Sequence, residues 1–532
     1  MRMVLLCLAV CAAMMATSTA AAATVEVKGS AGSAIAAAIL RAAPGDTVHL
    51  PAATFVLTEP LRPKSGIKLI GEGIEKSFLV YAGGKPASMI EIQGCEDLEI
   101  AQLTLDGRKS PFIHQGISGS RSRRLWLHDL GIRNLANIKT WGPHAILFSG
   151  RSPSMEGGVT DSWICNCQID NIGLGADFGG GIRLAWGCVR NQVLGNTITN
   201  TGRGGIFGDH SADLVIRNNR VSGSGGEGLG IEIWGGCPRS LIENNAVDHW
   251  ISVDQGTQSA VRRNLIGAGD NSLKGYGIEI IARDVVVTDN LVQRGAQIGL
   301  SVSNKPVKEN VFWGYNTIRD CTQWAAQFQG DSGGIAHHYF YHCDFEGTLR
   351  NDPRALYRND SGHGMRTNGN CRQLVFENCR FRGNGGYGLQ LGGQGVDEIC
   401  LLHCLISANG LACVSGPSSY KALEFTDCKV AGNGNDTLPV SKPLATPAPA
   451  ADFRAPSAIH AGEPAAFVCV SRAGSGTIVQ RLWDFNQGIP EVTANPQHTF
   501  DRPGKYRVTL IVWDSAGRGG HAEKMVEVLP RK

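Results

Sequence analysis

Asp209, Glu232, Asp254 and Glu279 are the residues of this 532-residue sequence whose types and spacing best suit chemistry. Each falls in a short run with alternating apolar residues: Ile206-Phe-Gly-Asp209, Ile231-Glu-Ile-Trp234, Ile251-Ser-Val-Asp254 and Ile278-Glu-Ile-Ile281. Successive side chains of a β-strand point to opposite faces. With Ile182 and Leu184, Ile231 and Ile233, Ile251 and Val253, and Ile278 and Ile280 turned inward, the outward set is Arg183, Phe207, Asp209, Glu232, Trp234, Ser252, Asp254 and Glu279. Stacked as rungs about 4.8 Å apart, such strands place Glu232 and Glu279 two rungs, roughly 9.6 Å, from each other, with Asp254 between them and offset along its strand. Two carboxyl groups roughly 6.5–9.5 Å apart leave room for an attacking water, one acting as acid and the other as base in glycosidic hydrolysis. Trp186, Trp234, Trp250 and Phe207 offer apolar faces for sugar rings, and Arg183 a polar clamp.

The same residues admit other chemistry. A β-elimination on a uronate polymer needs a base and a way to neutralise the uronate carboxyl. Lys274 or Arg183 would serve as base or clamp, and Asp209, Glu232, Asp254 and Glu279 would supply the oxygens that Ca2+ requires. Hydrolysis needs no cofactor and is placed ahead of elimination. A third reading is a binding or adhesion protein whose outward acids are solvated surface. Asp209-His210 and Asp248-His249 each set an acid beside a histidine, but adjacent strand residues face opposite sides, so neither is a ready dyad. Cys165-Asn-Cys167 has the look of a metal site and is set aside on the same alternation. Trp141, His144 and His363 fall in irregular insertions at 135–160 and 345–370, which would wall a groove.

A solenoid would position these strands. A unit of Asn or Cys, any residue, then Val, Ile or Phe recurs from Cys167 to Cys428 at intervals of 19 to 36 residues, most near 25. Short β-branched runs and glycine-rich turns fill each interval, as in a coil of three short strands. Asn196, Asn219, Asn245, Asn264, Asn290 and Asn316 would stack as a ladder that satisfies buried backbone groups at a turn between the second and third strands. Cys343, Cys379, Cys404 and Cys428 fill the same slot as small buried hydrophobes. The expected fold is all-β, a right-handed parallel β-helix of about 11–13 coils.

Residues Ser33–Pro51 and Leu61–Gly73 resemble the start of pectate-lyase-like β-helices, with a helix carrying Ile35, Ile39 and Leu40 as the cap on the first coil. The resemblance spans roughly residues 24–435 and implies an architecture shared by lyases, glycoside hydrolases and phage tailspikes, rather than one activity. Ser361-Gly-His-Gly-Met-Arg366 echoes the Gly-His-Gly of polygalacturonases but lacks that family's upstream paired aspartates.

Trp483-Asp-Phe-Asn-Gln-Gly488, His498-Thr-Phe and Pro503–Asp514 resemble a polycystic-kidney-disease (PKD) type domain, an immunoglobulin-like β-sandwich. Asn486 and Gln487 replace the family's usual Gly-Asp. Along Tyr506–Trp513, one face would carry Tyr506, Val508, Leu510 and Val512, and the other Arg507, Thr509, Ile511 and Trp513. Packing within the sandwich is preferred over sugar stacking for Trp513.

The expected organisation is a signal peptide at 1–23, the β-helix at 24–436, a Pro/Ala-rich spacer at 437–450 and the sandwich at 451–532. Arg2 and the short apolar Val4–Met15 run read as an export signal, too short to span a bilayer, and imply a secreted or periplasmic protein. The 69 glycines and 18% charged residues suit a turn-rich β fold, and the net charge of +3 points away from nucleic acid. A polysaccharide is the expected partner. The sequence leaves open the oligomeric state and whether the thiols pair.

Overall fold

The structure, a computed structural model, describes residues 22–138, 142–225, 229–267, 275–293, 296–303, 309–416 and 420–531, apart from the side chains of 331–333. Residues 1–21 of the expected signal peptide, Lys274 and Trp141 lie outside the described residues.

Alternating apolar residues wind the chain into a parallel solenoid of three strands per coil. The third strands form one 15-stranded sheet, so the solenoid has about fifteen coils. That exceeds the expected 11–13, because the first two coils, with third strands Ala53–Leu57 and Ser77–Tyr81, carry neither the Asn nor the Cys marker in the turn slot. The first and second strands form two faces of one 27-stranded sheet, joined where the long strands Trp324–Tyr341 and His363–Glu377 run from one face into the next. The helix Gly32–Arg41 closes the first coil and buries Ile35, Ala38 and Ile39, while Leu40, expected to help, is exposed. No helix among the described residues is long and apolar enough to cross a membrane.

The asparagine ladder forms at the expected turn. Asn196, Asn219, Asn245, Asn264 and Asn290 each donate through Nδ2 to Oδ1 of the next asparagine at 2.9–3.0 Å. Each Oδ1 also takes a backbone N–H, at 2.9–3.1 Å, so donors that would be stranded between coils are satisfied. Asn316 passes the column on to Cys343, with Nδ2 3.8 Å from Sγ. All fourteen described cysteines are free thiols, twelve of them buried.

The sandwich packs against the β-helix. Residues after 436 stay on the last coil, where Cys413 Sγ donates to the Thr437 carbonyl and Lys442 bridges Leu423. The chain then folds back and lays the strand Gly504–Asp514 against the second-strand face. The predicted alternation holds. Val508, Leu510 and Val512 line the sandwich core with Trp483, Phe485 and Phe500. Ile511 and Trp513 instead join Val286, Phe312, Tyr339 and Val375 of the β-helix in a separate cluster. Trp513 is therefore buried between the domains rather than within the sandwich. Charged groups frame the contact: Arg262–Asp484 at 2.9 Å, both buried, and Arg507–Asp289 at 2.7 Å. Asn486 holds φ +56°, a backbone form that glycine adopts most readily, and its Oδ1 accepts from Arg263 at 2.6 Å. The departure from Gly-Asp at this turn thus adds a contact to the β-helix.

Candidate functional site

On the first-strand face, Arg183, Phe207, Glu232, Ser252, Glu279, Ser301, Gln327, Arg366 and Gln390 stand in register, one per rung, in a single outward column. The core-facing partners Ile182, Ile206, Ile231, Ile251 and Ile278 are fully buried and hold each rung in place. Ser252 separates Glu232 from Glu279, as the alternation predicts, and Asp254 lies two residues farther along that middle strand.

The column is sunk below the surface. Glu232 and Glu279 are 9% and 6% exposed and Asp254 is 2% exposed, burial unusual for carboxylates. Burial raises the Glu232 carboxyl above its ordinary range. Arg203 and Arg183 oppose this, and Glu279 and Asp254 add to it. Arg203 Nη2 lies 3.6 Å from Glu232 Oε2. Burial likewise raises Glu279, against the hydrogen bonds it accepts. Ser252 Oγ and Trp250 Nε1 donate to Glu279 Oε2 at 2.9 and 3.3 Å, fixing the plane of the carboxyl group. Tyr276 meets the Trp250 ring edge-on at 4.9 Å.

Asp209 has a different surrounding. Arg183 Nη2 ion-pairs with its Oδ2, and His210 Nδ1 lies 2.6 Å from its Oδ1. Neighbouring residues on a strand face apart, but His210 stands at the corner with φ +49°, which returns its ring to Asp209. The dyad rejected on alternation therefore forms. Asp248 and His249 also pair, at 2.8 Å, past the end of their strand and buried in a turn. The His210 ring stacks on Trp186 at 4.1 Å and meets Trp234 edge-on at 5.4 Å. Gly235 makes the space, since a Cβ there would sit 2.4 Å from that ring.

The aromatic residues divide by exposure. Trp234 is 42% exposed and Phe178 46%, so both present open faces. Phe207 is 3% exposed; its ring covers Gly180 and Gly204, with the Arg183 guanidinium 5.6 Å from its centroid. Sequence reasoning missed Arg203 and Phe178, which come from the turns that lead into the strands. An arginine directly before a Gly-Gly strand start was the available signal for Arg203.

His144 is fully buried, its backbone N–H bound to Gln115 Oε1 at 2.7 Å. His363, far from the acids in sequence, stands on the same face, three rungs past Glu279. The oxygens of Asp209, Glu232, Asp254 and Glu279 do not converge: among the described residues no three acidic, histidine or cysteine side chains gather as a metal-holding group. Asp209 is instead committed to Arg183 and His210.

Residues 157–438, over half of the chain, match the right-handed β-helix region family in three overlapping segments, and residues 446–528 match the PKD domain. A collagenase, ColQ1 of Bacillus cereus (strain Q1), is 41% identical over 58 residues, which is 11% of this chain and 6% of that protein. The chain thus spans only a small part of that relative. Among solved structures, the A-module of the mannuronan C-5 epimerase AlgE4 of Azotobacter vinelandii is 16% identical, covers 77% of this chain and 94% of its own, and has a TM-score of 0.41. An alginate lyase of Paenibacillus sp. str. FPU-7 is 16% identical, with coverage of 52% and 97% and a TM-score of 0.42. The chain belongs to the right-handed β-helix family and carries a C-terminal PKD domain.

Proposed function

We propose that the protein is an exported enzyme that hydrolyses a polysaccharide lying along the first-strand face, with Glu232 and Glu279 as the reacting pair. The observation that carries the reading is two buried carboxyl groups, both raised by burial, two rungs apart on one outward column. Two rungs put their backbones about 9.6 Å apart, at the upper end of the roughly 6.5–9.5 Å carboxyl separation that admits a water. Glu279, held by Trp250 and Ser252, is the acid that protonates the leaving oxygen. Glu232, beside the Arg203 guanidinium, is the base that takes a proton from water. Asp254 adds negative charge that favours retention of the acid's proton. Asp209 anchors Arg183. Trp234 and Phe178 stack sugar rings at the groove wall.

A β-elimination reading is favoured by one observation: the Arg183 guanidinium stands in the same outward column two rungs from Glu232, where a cation would neutralise a uronate carboxyl. Its calcium-dependent form would draw on Asp209, Glu232, Asp254 and Glu279, which form no metal-holding group among the described residues. The test is to incubate the pure protein with neutral and acidic polysaccharides, counting reducing ends and ultraviolet absorbance together. New reducing ends without absorbance support hydrolysis. Rising absorbance from an unsaturated uronide overturns it in favour of elimination, and neither signal across the panel leaves the binding role.

A further inference from the structure

The column continues past the acids to a second cluster of different charge. Arg366 stands three rungs beyond Glu279, with Ser301 and Gln327 between them. Three rungs are about 14 Å. The Arg366 guanidinium lies 4.6 Å from the Trp324 ring centroid, and its Nε is 3.2 Å from Asp360 Oδ2. With Nε on Asp360, the Nη edge of the fork remains to meet a second carboxylate.

Asp360 is fixed from several directions. Its Oδ1 accepts from His363 Nε2 at 3.0 Å and from Gln390 Nε2 at 3.1 Å. Its backbone carbonyl accepts from Trp324 Nε1 at 3.0 Å and from Gln323 Nε2 at 2.5 Å. The Tyr387 backbone N–H donates to His363 Nδ1 at 3.1 Å, so the proton of a neutral His363 is on Nε2 and is directed at Asp360. Burial lowers the pKa of His363, consistent with the neutral ring. Both ring nitrogens are engaged, so His363 of the Gly-His-Gly segment is a positioning residue that holds Asp360, and through it Arg366.

The wall above this cluster is cationic and aromatic. Tyr357 is 62% exposed and stacks over Trp324 at 6.1 Å and 17°. Arg350 and Arg358 are exposed on the same loop, whose only other acid, Asp352, is paired with Arg354. Cations thus outnumber anions at this end of the groove, the reverse of the Glu232–Glu279 segment.

We infer that Arg366 and Tyr357, held in place by the buried Trp324 ring between them, form a subsite for a carboxylate-bearing sugar, a uronate residue of the chain whose scissile bond lies at Glu232 and Glu279. The inference rests on the polysaccharide reading above and deepens it by naming the substrate class. The neutral rungs Ser301 and Gln327 serve the hydroxyls of the intervening sugars.

The test uses the full chain, with oligogalacturonides and oligomannuronates as acidic probes and a neutral cello-oligosaccharide of equal length, measured by calorimetry. The unaltered protein is expected to bind an acidic probe, and Arg366→Gln to weaken that binding about tenfold while leaving neutral binding unchanged. Arg366→Lys should restore part of the loss, and matching thermal melts would show that Arg366→Gln folds. Acidic binding unaffected by Arg366→Gln, or equal losses for acidic and neutral probes, overturns the subsite while the function stands. Failure of the unaltered protein to bind any oligosaccharide overturns both.

Discussion

Two faces of the same β-helix bury charge, and they do so in opposite ways. On the second-strand face Arg262 and Asp484 are 0% and 2% exposed at the side chain and meet at 2.9 Å, with a second bond from Arg262 to the Gly488 carbonyl at 2.8 Å. On the first-strand face Glu232 and Glu279 are nearly as deep, but their neighbours include other acids, and both hold their protons more tightly than ordinary carboxyls. A buried charge with a full partner joins domains. A buried acid left partly uncompensated has its proton poised for transfer. The same strand geometry delivers both, and what differs is what accompanies the charge: a docked sandwich on one face and further acids of the outward column on the other.

The comparison can be broken at several points. The largest effect is expected on the groove. Glu279→Gln and Glu232→Gln should each lower chain cleavage on the order of 10²–10⁴-fold, read as reducing ends released, without loss of melting temperature. On the opposite face, Asp484→Ala leaves Arg262 buried and unpaired. It should cost about 3–5 kcal/mol in denaturant unfolding and make the 437–450 segment easier to cleave in limited proteolysis. Cleavage of short substrates by the folded fraction should persist.

Within the wall both faces share, Asn264→Ala removes an acceptor for Asn245 and a donor to Asn290 and the Ile242 carbonyl. Stranding such groups costs about 1–3 kcal/mol, to be checked by chemical denaturation with the far-ultraviolet signal retained.

The smallest effect concerns pH. The folded carboxyls of Glu232 and Glu279 lie above their unfolded values, so their contribution to stability is complete below the ordinary glutamate range and is lost as pH rises through the folded values. Glu279→Gln should therefore melt level with the unaltered protein in acid and above it at neutral pH, by on the order of 1 kcal/mol. An advantage greater in acid would contradict the sign.

Much of this was legible in the sequence, for local reasons. The ladder was readable because one polar side chain per turn must answer stranded backbone groups, which stamps a period on the chain. The column of Glu232, Ser252 and Glu279 followed from alternation alone. Alternation failed where strands end: His210 takes a left-handed backbone and turns back onto Asp209, against the sequence expectation. Helical placement failed at Leu40, where the helix end leaves an apolar residue in solvent. Trp513 was assigned to the correct strand face, but what covers that face depends on contacts with residues more than a hundred positions away, such as Phe312 and Tyr339. Arg203 and Phe178 escaped because they come from turns, whose geometry no periodicity encodes.

The most direct measurement is a crossed one: cleavage rate and unfolding free energy for Glu279→Gln and Asp484→Asn, side by side. The account predicts that the first variant loses rate and keeps stability, while the second loses stability and keeps the rate of its folded fraction. If both variants lose rate and stability together, or if Glu279→Gln cleaves as well as the unaltered protein, the distinction between the two faces is wrong.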